Sequence, residues 1–306
     1  MGQTIGALVT EHIAVGLVEN HQLVGEIRRF PEKKSISDAL EGMPAEEIVR
    51  RIGREIELIS EGRAIEAIGV GFPGIIRNGL VEQSPNLRQT KGLKLQEALA
   101  RLLAEKGLAA PVHVLNDAAA LAAGLAATRG HLDKLVRVWF LGVGIGLGRY
   151  PQPNSFFESG HTVVTLDPKE NYCGCGGIGH LEGIMGHRAM RLRFLDMEPE
   201  EVFEAARAGD PRCAEFVRLW HRALAAATAT SIHLDGPGKF YISGPNAEYV
   251  QTNLIDVYLH EMVRMSPLQG STLEVIATSD ATAVIGAAVS AERAASAAGP
   301  AGALTT

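Results

Sequence analysis

Residues 111–130 read PVHVLND followed by AAALAAGLAATRG. A short β-branched run ends on an acid, and the chain passes at once into an alanine-rich helix pattern. A strand feeding directly into a helix is the building unit of α/β proteins. The same alternation continues in both directions. Upstream, AIEAIGVGF (64–72) reads as a buried strand behind a helix over 44–60, whose apolar positions recur at helical spacing. Before that, IGALV, HIAVGLVE and QLVGEIRR alternate with polar turns and predict an antiparallel meander. Gly71-Phe-Pro73-Gly74 turns the chain, Ile75–Val81 returns it, and Leu95–Lys106 forms an amphipathic helix.

Downstream, LVRVWFLGVGIGLGRY (135–150) predicts two strands around a glycine-rich bend, and residues 183–234 are largely helical. Further strands are expected at 239–243 and in LEVIAT (273–278), with helices at 246–265 and from Asp280 onward. The expected fold is α/β with two domains and a cleft between them. The first domain covers 1–117. The second covers 118–279, and 294–306 lacks core-forming residues and reads as a disordered tail.

A chain of 306 residues with 46% hydrophobic content can bury a large core or two smaller ones. Its net charge of −6 argues against a nucleic-acid or membrane-surface partner, which calls for a basic footprint. No apolar run approaches the roughly 20 residues that span a bilayer, and no secretory signal pattern opens the chain. Three cysteines fit a reducing cytoplasm better than a disulfide framework. Cys213 reads as a small buried hydrophobe on a helix.

The other two cysteines lie in a denser pattern: His161, then Cys173-Gly-Cys175-Gly-Gly-Ile-Gly-His180-Leu-Glu182. Glycines permit a loop tight enough for two thiolates and two imidazoles to converge. Two Cys and two His form a closed tetrahedral set, the arrangement of a structural zinc site, with 158–182 as its loop. The plainer alternative is a glycine-rich loop with incidental thiols. Asp117 also has two readings: a carboxylate held at a strand end for proton transfer, or a helix N-cap. Glycines 142, 144, 146 and 148 do not make a dinucleotide fingerprint, because Arg-Tyr-Pro and the Cys/His loop follow instead of a βαβ unit.

Taken in order, these pieces resemble the ROK family of bacterial sugar kinases and sugar-responsive repressors. The matching residues are Gly69-x-Gly71-x-Pro73-Gly74, Pro85-Asn86-Leu87, Asn116-Asp117-Ala118, Gly142-x-Gly144-Ile-Gly146-x-Gly148, Glu158-x-Gly160-His161, Cys173 to Glu182, and Asp280-Ala281 through Ala288. The resemblance implies a two-domain actin-like ATPase (ribonuclease H-like) fold, whose first domain is completed by the C-terminal helix at 280–293, and phosphoryl transfer to a hexose-type sugar with Asp117 as general base. It places Asn86, Asn116, Glu158, His161 and Glu182 on the sugar, and Gly142, Gly144 and Gly244 on the nucleotide. It assigns His161, Cys173, Cys175 and His180 to structural zinc, with His161 also reaching the sugar. It further implies Mg-ATP as donor and a homodimer. No helix-turn-helix segment precedes the first strand, so the repressor branch is not the expectation.

Two departures stand out. His180 replaces the third cysteine of the family's C-x-C-x4-C pattern. The family's opening D-x-G-G-T falls on Ala7-Leu8-Val9-Thr10-Glu11, which removes a carboxylate near the metal, fills two close-approach glycine positions and adds a negative charge. Repulsion between unit charges at about 4 Å is roughly 1 kcal/mol in water and several times larger when desolvated. The G-T-G and G-G turns read Gly142-Val143-Gly144 and Ser243-Gly244. The alternative function is therefore a sugar-binding regulatory protein that does not use ATP. A ligand-free scaffold is the least expected reading.

Overall fold

The computed structural model describes residues 2–32, 39–152 and 157–298, and the chain divides into two compact units. The first comprises 1–136, 148–156 and 279–306. Its sheet has the order β3-β2-β1-β4-β7, built from β1 (Gln3–Val9), β2 (Ile13–Glu19), β3 (Gln22–Phe30), β4 (Ile65–Phe72) and β7 (Val112–Asn116). The meander is antiparallel as expected, whereas β4 lies parallel to both β1 and β7. Between β4 and β7 lie a small hairpin, β5 (Ile75–Arg77) with β6 (Leu80–Gln83), and helix α2 (Leu95–Glu105). Ile75–Val81, expected to return the chain, is split between the two strands of this hairpin. Asn78 and Gly79 break it because both adopt left-handed backbone, φ 48° and 74°.

Alternation along the strands divides the side chains between the two faces of the sheet. Ile5, Ala7, Val9, Ile68, Val70 and Phe72 enter an apolar cluster with Ile48, Ile52 and Ile56 of α1 (Ala45–Ser60) and with Leu95 and Leu99 of α2. The other face is nearly bare. A Cβ on Gly69 would lie 1.9 Å from the carbonyl of Ala287 in α9 (Asp280–Ala298), so that helix backbone rests directly on the sheet. Helix α3 (Asp117–Thr128) joins the same layer, its own backbone against α9: a Cβ on Gly286 would meet Ala120 O at 1.8 Å. This contact is why residues 118–136 belong to the first unit rather than to the second, where the sequence reading had put them. Helix α9 also runs to Ala298, past the expected end at 293, and the rest of the expected tail (299–306) lies outside the described residues.

The second unit comprises 137–147 and 157–278. Its sheet order is β11-β10-β8-β9, from β8 (Val136–Leu141), β9 (Ile145–Tyr150), β10 (Lys239–Ser243) and β11 (Thr272–Val275). Five helices follow β9: α4 (Leu181–Met185), α5 (His187–Arg193), α6 (Pro199–Arg207), α7 (Pro211–Asp235) and α8 (Thr252–Met262). The helix expected over 246–265 is instead a 3-10 turn at Pro245–Tyr249 followed by α8.

Helix α7 starts at Pro211, with Asp210 accepting from Cys213 N at 2.8 Å, and stops at Gly236, φ 85°. Cys213 is buried on this helix, as expected. The core gathers Trp139, Phe203, Trp220 and Phe240. Arg137 is fully buried, its two terminal nitrogens donating to Ser231 O, Ser231 Oγ and Gly236 O at 2.8–3.0 Å and its guanidinium lying over the Phe240 ring. No helix among the described residues is long and apolar enough to cross a membrane.

Candidate functional site

In the second unit the chain doubles back on itself between Thr162 and Leu181. Val163 pairs with His180, Val164 N donates to Gly179 O at 2.8 Å, and Leu181 N donates to Thr162 O at 2.9 Å. Gly176 and Gly179 take positive φ, 82° and 71°, which lets the C-x-C segment curl tightly. This brings His161, Cys173, Cys175 and His180 together. Cys173 Sγ is 3.4 Å from Cys175 Sγ, and His161 Nδ1 is 3.3 Å from His180 Nδ1. Cys175 Sγ lies 3.5 Å from His161 Nδ1 and 3.2 Å from His180 Nδ1.

Donors at about 2.0–2.3 Å from a tetrahedral zinc are separated from one another by roughly 3.3–3.8 Å. The four side chains therefore fit the ion in donor type and in spacing, and His180 stands competently where a third thiol would. Burial pushes the Cys173 thiol up to about 11, and Cys175 and the Glu182 carboxylate add to the rise. A dication at the centre of the set would reverse that balance.

Two carboxylates border this set. Glu182, in the first turn of α4, accepts from Ile145 N at 3.0 Å through Oε2. Gly144 must stay bare beside it, since a Cβ there would lie 2.8 Å from Glu182 Oε2. Glu158 precedes the turn that carries His161, and its carbonyl accepts from His161 N at 3.0 Å. Burial raises the Glu158 pKa, His161 opposes the rise and Glu182 adds to it. The structure thus gathers Glu158, His161 and Glu182 at the Cys/His set. His161 turns Nδ1 inward, and its Nε2 makes no hydrogen bond among the described residues.

In the first unit, Asn116 and Asp117 occupy the corner between β7 and α3. The N-cap is Asn116: its Oδ1 accepts from Ala118 N at 2.9 Å and Ala119 N at 3.2 Å, and its Nδ2 donates to Gly74 O at 3.0 Å. That side chain fixes the Gly74 turn against the helix, and Asp117 is released from the capping role. Asp117 Oδ1 accepts from Ala118 N at 2.9 Å. The carboxyl keeps a partial opening to solvent but lies deep among protein atoms. Burial therefore raises its pKa to about 6, opposed by the Ala118 and Asp117 N–H groups and by Asn116, and reinforced by Glu11. Asn86 is exposed, on a loop held by Leu87 N donating to Ser84 Oγ at 3.3 Å.

The strand end that aligns with D-x-G-G-T has been put to another use. Ala7 and Val9 are fully buried in the apolar cluster. Beyond them Thr10 N donates to His12 O at 2.9 Å, and Thr10 Oγ1 lies 3.3 Å from His12 Nδ1. His12 Nε2 and Arg29 Nε both reach Asp280 Oδ2 at 3.1 Å. The hydrogen bond to Asp280 raises the His12 pKa, and the hydrogen bond from His12 holds Asp280 below the usual carboxylate range. Sequence reasoning missed this trio, because no local spacing links positions 12, 29 and 280. Ala7→Asp is expected to cost about 3 kcal/mol or more at neutral pH, since it buries a carboxyl among aliphatic side chains. Thermal unfolding of the variant checks this; an unchanged midpoint would mean that position 7 is open to water.

Gly142, Gly144 and Gly244 come together in the second unit. Gly142 N donates to Gly144 O at 3.1 Å, and a Cβ on Gly142 would touch Pro245 at 3.6 Å. Gly244, φ 100°, donates to Thr278 Oγ1 at 3.2 Å, and Val143 is 70% exposed at the tip of its turn, where no hydroxyl is available.

The profile of the ROK family matches residues 41–294. A glucokinase from Thermotoga maritima is 33% identical over 245 residues, 69% of this chain and 74% of that protein. A glucokinase from Pyrobaculum calidifontis is 28% identical over 253 residues, covering 76% and 81%. Among solved structures, a ROK hexokinase from Thermus thermophilus superposes with a TM-score of 0.77 over 96% of this chain and 99% of that one, at 22% identity. That likeness establishes the shared α/β fold.

Proposed function

Because the chain belongs to the ROK family, we propose that it transfers a phosphoryl group to a hydroxyl of a hexose-type sugar, with Asp117 as general base. The observation that carries this reading is the placement of Asp117 at the corner between β7 and α3, where Asn116 takes over the capping role and burial raises the carboxyl's pKa to about 6. As the sugar oxygen attacks phosphorus, Asp117 accepts its proton and the bond from phosphorus to the leaving oxygen breaks. Glu158, Glu182, His161 Nε2 and Asn86 accept from or donate to the remaining hydroxyls. A sugar lacking one of those hydroxyls would leave a polar group unpaired, which is the source of selectivity. Asn116 caps α3 through Oδ1 and donates one N–H to Gly74 O, which leaves the second N–H of its amide for the sugar beside Asp117.

Zinc held by His161, Cys173, Cys175 and His180 would supply rigidity, fixing the loop that carries His161 and Glu182. The oligomer expected from the resemblance is a homodimer.

The second reading, a sugar-binding protein that does not use ATP, is favoured by one specific observation. Ala7 and Val9 serve the core, and Thr10 to His12 are tied to Asp280, where a triphosphate and its magnesium would need glycines and a carboxylate. Calorimetric titration of the zinc-loaded protein with magnesium-ATP, in the presence of glucose and amino sugars, separates the two. Binding below 1 mM together with sugar phosphate formation is the expected result for the kinase. No binding by folded, metal-loaded protein would remove ATP-dependent transfer and leave the sugar-binding reading.

A further inference from the structure

The turns at Gly142–Gly144 and Gly244–Asn246 are joined by a single side chain. His187 opens α5, and its backbone N–H donates to Gly142 O at 3.3 Å. Its imidazole Nε2 is hydrogen-bonded to Asn246 Oδ1, on the second turn. Asn246 is 1% exposed, and its Nδ2 is buried with no hydrogen-bond partner among the described residues. Gly186 closes on the first turn as well, since a Cβ there would lie 2.9 Å from Val143 O. The imidazole therefore spans the gap between the two glycine turns, with its backbone fixed to one and its ring to the other.

We propose that His187 is a built-in stopper that holds down nucleotide affinity in the second unit, with Asn246 as the residue that positions it. The proposal rests on reading Gly142, Gly144 and Gly244 as the nucleotide side of a kinase-like site. A nucleotide entering between the turns must displace the ring. Displacement strips Asn246 of its hydrogen bond, leaving a buried amide with neither end satisfied. Removing the imidazole reverses this: the whole Asn246 amide, donor and acceptor, becomes available to the ligand. The stopper acts separately from the altered strand end, because all of its parts lie in the second unit.

The test is calorimetric titration of the intact, metal-loaded chain with adenosine and with ADP, comparing the unaltered protein with His187→Gly and His187→Gln. Glycine is expected to tighten both ligands at least tenfold. Glutamine, which keeps the bulk and a donor toward Asn246, is expected to leave affinity as it was. Equal ADP affinity for the unaltered protein and a folded His187→Gly overturns the proposal. If the glycine variant does not fold, Asn246→Ser frees the ring while keeping residue 187, and unchanged ADP affinity in that folded variant overturns it equally. Glucose is titrated in parallel. Gain of ADP without any glucose binding would sink the sugar-directed function and leave the stopper standing. Glucose binding without gain of ADP would sink the stopper alone.

Discussion

Asp117→Asn is expected to slow phosphoryl transfer by about 10²- to 10⁴-fold while changing sugar affinity far less. The substitution keeps size and hydrogen bonding at the corner between β7 and α3, but it removes the carboxylate that would take the proton. A group whose pKa is about 6 in the folded protein is ionised, and therefore basic, only above that value. The rate constant kcat/KM should thus fall roughly tenfold per unit as pH drops below about 6, and the asparagine variant should lose this inflection. The linkage runs the other way for stability. Asp117 binds its proton more tightly folded than unfolded, so its ionisation costs stability, increasingly as pH rises from the ordinary value toward and past 6. The asparagine variant should therefore melt no lower than the parent at pH 7 and show a smaller loss between pH 5 and 7. A variant that retains its rate would rule out Asp117 as the base.

Removing the metal is expected to have the second large effect. Structural zinc contributes about 10–16 kcal/mol to folding in small zinc-binding peptides. Here only the loop over 158–182 depends on it, so the remainder of the second unit should stay folded while that loop opens. The expected outcome of chelation, or of Cys175→Ala, is a fall in melting temperature of roughly 10 °C or more. Glucose affinity should also drop at least tenfold, since His161 and Glu182 lose their support. Metal analysis should return one zinc per chain in the untreated protein. A value well below one would sink the Cys/His assignment. Cys213→Ala provides the contrast: the thiol lies buried on α7 near Met197, away from the metal donors, and its loss should leave zinc content unchanged.

What could be read from the residues alone was whatever their neighbours in sequence decide. His161, Cys173, Cys175 and His180 lie in one stretch closed by glycines, so spacing was enough to group them. Strand and helix patterns around Asp117 were equally local. The choice of Asn116 over Asp117 as the cap was not, because either side chain can serve, and the hydrogen bond from Asn116 to Gly74 across the turn settled it. Ala7 and Val9 looked like lost ligand positions, whereas their burial shows a strand end that contributes to the core. The His12–Asp280–Arg29 cluster and the His187–Asn246 pair join residues far apart in the chain, so a reading of spacing and periodicity gave them no role. Helix α3 was assigned to the wrong unit for a related reason. An alanine-rich helix shows no polar face, and nothing in its own residues reveals that its partner is α9.

That partnership sets an order of events during synthesis. The glycine-floored face of the first sheet is covered by residues 280–298, which are translated after the whole of the second unit. While the ribosome is still adding residues 137–278, α1 and α2 are available to cover one face of the sheet, but only α3 is available for the other. The usual expectation that the N-terminal domain completes itself first is reversed here. The second unit has all of its residues first, and the unit that begins the chain waits with one face only partly covered until α9 emerges.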